Sequence, residues 1–330
     1  MKKFVLAFFF VTLFVVGIFA TETLTVYTYD SFISGMARQI GPTFEKMYNC
    51  KVKFLSFGDS GNLLSRLMLE RSHPRADVAV GLSQSQIPEA LKYGLFQPYK
   101  PTDIASVVNK TFLIDPKYRV IPFDYGALAI DYNLKTVKNP PKSFEDLLDP
   151  KFSRSLVVED PRTSSTGLDF LLWTIGVYGN RWQSYWKRLM NSIKTITSGW
   201  GSAFEMLEKG EAPMMVSFAT DKAYDYYYYK GSTIGVIIPS EGAYVMVEYA
   251  GILKGAKHLS LARKFMNFIL SKDFQEAVPL NQWMYPVTNV KLPKVYKYAP
   301  KVKKIVFISP TKIQKNLSKW LEEWSSLVVQ

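Results

Sequence analysis

The stretch LSFGDSGNLLSRL, residues 55–67, decides how the chain is read. Gly58-Asp59-Ser60-Gly61 is the surround of the nucleophile in chymotrypsin-like proteases, and taken alone it would make Ser60 a catalytic serine. A serine nucleophile needs an oriented base beside it. The only histidines are His73 and His258, and both follow Ser60, where the protease order puts the histidine far upstream. Asn62 also stands where a second glycine belongs. The alternative is a loop between two elements. KVKFLSF (51–57) has the composition of a strand, and GNLLSRLMLER (61–71) puts Leu63, Leu64, Leu67 and Met68 on one helical face. The tetrad is then the turn of a strand–helix unit, and no catalytic residue is assigned.

Working outward, the same alternation recurs. TLTVYTY (23–29) reads as a strand, GPTFEKMY (41–48) as a helix, ADVAVGL (76–82) as a strand and SQIPEALKYG (85–94) as a helix ended by Gly94. Strands separated by helices predict a parallel sheet with crossovers, whose ligands sit at the carboxyl ends of the strands. Asp59 and Ser60 follow the second strand directly. Farther on, SLVVED (155–160) leads through Ser164, Ser165 and Thr166 into an amphipathic helix, and PMMVSF (213–218) and IGVIIP (234–239) are further strands. YRVIPFDYGALAIDYN (118–133) and AYVMVEYAGILKG (243–255) are too long for ordinary strands, which is what two lobes sharing crossing connections require. Helices are expected at 259–269 and 311–327, with Trp320 and Trp324 packed in the core.

The first twenty residues hold two lysines, an apolar run and a small residue. They read as a signal peptide cleaved after Ala20, the run being at the short limit for a membrane span. The formal charge is +13, or +11 without Lys2 and Lys3, but the lysines are scattered, so a solvated basic surface is expected and no nucleic-acid partner. One cysteine, Cys50, cannot form an internal disulfide, and two histidines leave little raw material for zinc or thiol chemistry. Aromatics make up 15% of the chain. Tyr29, Trp200, Tyr224, Trp283 and Tyr285 fall in loops after strands, and aromatic faces beside one carboxylate suit a planar organic cation. The run AYDYYYYKG (223–231) leaves a second reading open, in which adjacent phenolates among Tyr226–Tyr229 hold ferric iron.

Several stretches together resemble the thiamine-binding proteins of bacterial ABC importers, within the type II periplasmic binding protein fold. They are LTVYTYDSF (24–32), Asp59 with LLSRL, ADVAVGL (76–82), PFDYGALAIDYN (122–133), NPPKSFEDLL (139–148), EDPRTSSTGLDFLLW (159–173), SGW (198–200) and WMYPVTNV (283–290). The resemblance implies a two-lobed α/β fold, each lobe a mixed sheet flanked by helices and the two joined by crossing strands. Its boundaries would be 21–125 plus 247–281 for one lobe and 126–246 plus 282–330 for the other. It implies a periplasmic monomer that binds thiamine or its phosphates, needs no cofactor, catalyses nothing and delivers its ligand to a membrane permease. Asp59 would be the counter-charge to the cationic ring, with Ser60 beside it. Tyr29, Trp200, Tyr224 and Trp283 would form aromatic walls, and Ser164 and Ser165 would offer hydroxyls and helix-start amides to a phosphate. Two stretches depart from the family. ISGMARQ (33–39) lacks the tryptophan that relatives carry there. SFATDK (217–222) has Phe218 for a tyrosine and introduces Asp221 and Lys222 into the same site.

Overall fold

A computed structural model of the chain describes residues 21–328. The expected signal peptide, residues 1–20, lies outside them. β1 (Thr23–Thr28), β2 (Lys51–Ser56) and β3 (Val78–Ser83) are connected by the helices Arg38–Tyr48 and Ser60–Leu69. β1 lies between the other two and runs parallel to both, because each crossover helix returns the chain in the same direction. Then come β4 (Ile121–Asn133), β5 (Leu156–Glu159), β6 (Ile193–Thr197), β7 (Met214–Phe218), β8 (Ile234–Ile237), β9 (Val245–Ile252) and β10 (Tyr285–Pro286). The sheet runs β2-β1-β3-β9-β4-β7-β5-β6, with β8 and β10 added on β4.

β4 is the shared strand. Its residues 121–127 pair antiparallel with β9, and its residues 128–132 pair antiparallel with β7. One strand therefore belongs to both halves of the sheet, as its excess length anticipates. Gly126 sits at the change of partner, and a Cβ there would come within 2.5 Å of the Met284 sulfur. The close approach, not the turn, requires glycine.

The helix Ser165–Tyr178 is buried from Ser165 through Ile175. It has apolar residues on all sides, so it is covered on all sides. Its Trp173 donates to the Gly242 carbonyl at 2.8 Å, and Trp186, on the helix Trp182–Leu189, donates to Thr174 Oγ1 at 2.8 Å. The last helix, Pro310–Val328, buries Ile313, Leu317, Trp320 and Trp324, the 3–4 spacing of a single stripe. Both tryptophans are core, as read. Trp324 stands edge-on to Trp186 at 5.8 Å, and the Arg162 guanidinium lies 5.6 Å from its ring. The helices Trp182–Leu189 and Lys272–Asn281 escape a sequence reading, the latter because Pro279 interrupts its last turn.

Replacing Trp324 by Ala empties a fully buried site, for which truncation costs about 3–5 kcal/mol. The urea midpoint of unfolding is expected to fall accordingly. An unchanged midpoint would show that the last helix is not part of the core.

Candidate functional site

A cavity of about 520 Å³ opens where the carboxyl ends of the parallel strands meet. Tyr29 follows β1, Asp59 follows β2, Ser165 and Thr166 follow β5, Trp200 follows β6, Phe218 ends β7 and Asp221 begins the helix after it; all line the cavity. This is the position at which such sheets present a ligand.

The Gly-Asp-Ser-Gly tetrad closes the two halves onto each other. Asp59 caps the helix Ser60–Leu69, its Oδ1 accepting from Ser60 N at 2.6 Å, while its Oδ2 accepts from Trp200 N at 2.9 Å. Ser60 Oγ accepts from Ser165 N at 2.9 Å, and Gly61 N donates to the Thr163 carbonyl at 2.9 Å. A Cβ on Gly61 would lie 2.5 Å from the Thr163 carbonyl carbon. Ser60 is fully buried and is not among the residues that line the cavity. Ser164 is also buried away from it, its Oγ capping its own helix by accepting from Gly167 N at 3.4 Å. The Lys222 ammonium donates to Asp225 at 2.9 Å and to the Ile234 carbonyl at 2.5 Å, and Lys222 is not among the residues that line the cavity.

One wall is aromatic. Trp200 stacks on Phe204 at 4.6 Å, Phe204 meets Tyr224 edge-on at 5.3 Å, and Tyr224 meets Trp283 edge-on at 5.2 Å. Trp283 holds φ at +58°, a conformation costly for a bulky side chain, and such strain collects at sites that need a ring in one place. The tyrosine run divides. On the helix Asp221–Tyr229, Tyr227 meets Tyr228 edge-on at 4.9 Å, and the Tyr228 and Tyr229 rings lie 6.3 Å apart. Tyr226 stacks on Tyr298 at 3.5 Å, Tyr229 donates to Glu208 at 3.0 Å, and Tyr228 alone of the four lines the cavity.

The remaining walls are acidic. Sequence reading singled out Asp59, but Glu208, Asp221 and Glu248 also face the cavity. β4 stands behind two of them. Asp124 lies directly opposite Glu248 in the β4–β9 register. Both are buried, and burial together with Glu248 pushes the Asp124 carboxyl far up, while burial holds Glu248 at about 7 against hydrogen bonds from Tyr29 and Asp124. Tyr29 Oη donates to Glu248 at 2.8 Å. On the other half, burial and Asp221 push Asp131 far up, and burial raises Asp221 to about 6 against hydrogen bonds from Ser217 and Asp131. Trp200 Nε1 donates to Ser217 Oγ at 2.8 Å, and Ser217 donates to Asp221. Each half thus sets a β4 aspartic acid with a strongly raised pKa behind an ionisable carboxylate at the cavity. Burial also raises Asp59, opposed by the Trp200 and Ser60 amides.

At the rim, the five-residue π-turn Ile33–Ala37 and its flanks bring Ser31, Ser34, Gly35 and Arg38 to the cavity. Arg38 is the one basic side chain among the lining residues.

The family model of bacterial extracellular solute-binding proteins matches residues 73–316. The chain belongs to this family. Among its relatives, the thiamine-binding periplasmic protein of Brucella suis biovar 1 (strain 1330) is 36% identical to this solute-binding protein over 310 residues, 92% of each chain. The thiamine-binding periplasmic protein of Escherichia coli (strain K12) is 35% identical over 318 residues, 94% of this chain and 95% of that one. A solved periplasmic thiamin binding protein is 34% identical and superposes with a TM-score of 0.87, covering 93% of this chain and 96% of its own. The fold is the two-lobed type II periplasmic binding protein fold, and the family's role is solute transport, not catalysis.

The Gly61 contact has a direct test. Gly61→Val puts a branched side chain where the Thr163 backbone stands, so the halves of the solute-binding protein cannot close. Small-angle scattering with saturating ligand is expected to give a larger radius of gyration than the parent, with an unchanged far-ultraviolet spectrum. A radius equal to the parent's would remove the contact from the closing mechanism.

Proposed function

We propose that this periplasmic solute-binding protein captures thiamine in the cavity between its two lobes and delivers it to the membrane permease of an ABC importer. It acts as a monomer, with lobes formed by 21–125 plus 247–281 and by 126–246 plus 282–330. The observation that carries the reading is a cavity joining aromatic faces to four carboxylates. The thiazolium ring is permanently charged, so it cannot escape its desolvation cost by losing a proton. Fixed carboxylates offset that cost, and ring faces add about 0.5–2 kcal/mol each when desolvated. Asp59, Tyr29, Trp200, Phe218, Tyr224 and Trp283 are the contacts we assign from the sequence reading, with Glu248 and Asp221 added as counter-charges. Ser165 contributes backbone to the wall.

The unphosphorylated vitamin is the preferred form. The Ser165 and Gly167 amides, which a phosphate would need, already donate to Ser60 and Ser164, and Lys222 is held by Asp225. Four carboxylates against one arginine repel a phosphate. The ferric-iron reading has less support, because the high-identity relatives are thiamine-binding proteins. Calorimetry is expected to show one thiamine per chain, with thiamine monophosphate and diphosphate each at least tenfold weaker. Failure of thiamine to bind, with a visible band titrating with ferric salt, would replace the vitamin by iron. Equal affinities for the three vitamin forms would overturn the preference alone.

The pH dependence follows from the two raised carboxyls. Each is neutral below its pKa, and only the ionised form attracts the cation. Affinity should therefore be full above pH 8 and decline as pH falls through about 7 for Glu248 and about 6 for Asp221. Binding near pH 6.5 should release protons, read as a heat that varies with the buffer's ionisation enthalpy. Glu248→Gln should weaken binding at pH 8 by about 30-fold or more and abolish the upper step. A flat profile between pH 8 and 5.5 would exclude both carboxylates as counter-charges.

A further inference from the structure

Residues 291–320 contain nine lysines, no arginine and no acidic residue. Of the nine, only Lys319 has an ion-pair partner among the described residues, Glu323 at 3.7 Å. Within this stretch, residues 301–308 run extended beside Ala243, which donates to the Lys304 carbonyl at 2.9 Å and accepts from Val306 N at 2.8 Å. Extended backbone sends alternate side chains to opposite sides. Val302 turns inward onto the Ala127–Ala129–Ala219–Ala243 cluster, and Val306 and Ile308 turn inward against Gly176. Lys301, Lys303, Ile305 and Phe307 turn outward together. Ile305 is 61% and Phe307 74% exposed. Solubility explains the lysines but not two large apolar side chains held out beside them.

We propose that this ridge docks the protein on an anionic lipid bilayer. Lysines near a negatively charged surface each strengthen binding about fivefold, and apolar side chains that enter the headgroup boundary add a second, non-electrostatic signal. A single exposed ridge with no groove suits a fluid surface. The absence of arginine in the stretch points the same way, since planar guanidinium forks are what paired recognition of individual carboxylates on a protein favours. The bound vitamin plays no part in this contact, so the ridge works whether or not the cavity is filled.

Flotation of the chain from Thr21 with lipid vesicles tests the assignment. Vesicles of two parts phosphatidylcholine to one part phosphatidylglycerol should carry the protein at low salt and release it at high salt, and pure phosphatidylcholine should not carry it. Lys301→Gln with Lys303→Gln should lower the partition coefficient about 25-fold. Phe307→Ser should lower it further while leaving the salt dependence of the parent. Both variants should keep parental thermal unfolding, which separates lost docking from lost folding. Failure of the parent to float with anionic vesicles, equal flotation with neutral ones, or parental flotation of the double-lysine variant would each overturn the proposal. Failure of the parent to float would leave an acidic protein face as the partner.

Discussion

The carboxylate of Asp59 accepts from the first amides of two helices, Ser60–Leu69 and Trp200–Glu208, that belong to opposite halves of the sheet. Helix starts carry partial positive charge, so one carboxylate stabilises both at once. Ser60 and Gly61 extend the same seam to Ser165 and Thr163. Hydrogen bonds to charged groups contribute about 1.5–3 kcal/mol and neutral ones about 0.5–1.5 kcal/mol. The Asp59–Trp200 contact is thus the strongest of the three. The Trp200 ring itself is held within its own half, stacked on Phe204 at 4.6 Å and donating to Ser217 Oγ at 2.8 Å, while Asp59 of the other half accepts from its backbone. Ligand binding and lobe closure therefore share a residue, and a ligand that favours the closed state needs only to bind there better than in the open one.

Burying carboxylates is costly, and Asp221 and Glu248 at the cavity are both buried. β4 places Asp124 behind Glu248 and Asp131 behind Asp221, and burial with the neighbouring carboxyl pushes both β4 acids far above the ordinary carboxylate range. The same strand that joins the halves structurally also joins their electrostatics. Tyr29 and Ser217 complete the two sets as donors to Glu248 and Asp221.

Much of the fold is legible because period and punctuation are local. The amphipathic face of Ser60–Leu69, the capping Asp59 and the excess length of β4 are all visible within single short stretches of sequence. Ser60 is less legible because its partner Ser165 lies 105 positions away, and no local pattern distinguishes a hydroxyl that faces a ligand from one that faces another helix. Glu248 hides as one acidic residue in an apolar strand, a type that is rarely fully buried and so is readily dismissed. The ion pair of Lys222 is legible in the sequence. Asp225 stands three residues on in the same helix, and that spacing alone predicts the pair that withdraws it from the cavity.

The charge of the chain has to be reconciled with the charge of its cavity. At +13, the surface repels a cation at long range. At physiological ionic strength, however, exposed charges are screened over about 8 Å, so a lysine beyond that distance contributes little to the potential in the cleft. Carboxylates inside a closing cavity act across a few ångströms of low-dielectric medium, where the interaction is several times stronger than in water. Local acidity therefore outweighs global basicity at the binding site, provided that the lysines lie away from it. Among the lining residues only Arg38 is basic, and none of the nine lysines of 291–320 reaches the cavity. The two signs are segregated, so the surface can meet an anionic partner while the interior holds a cation.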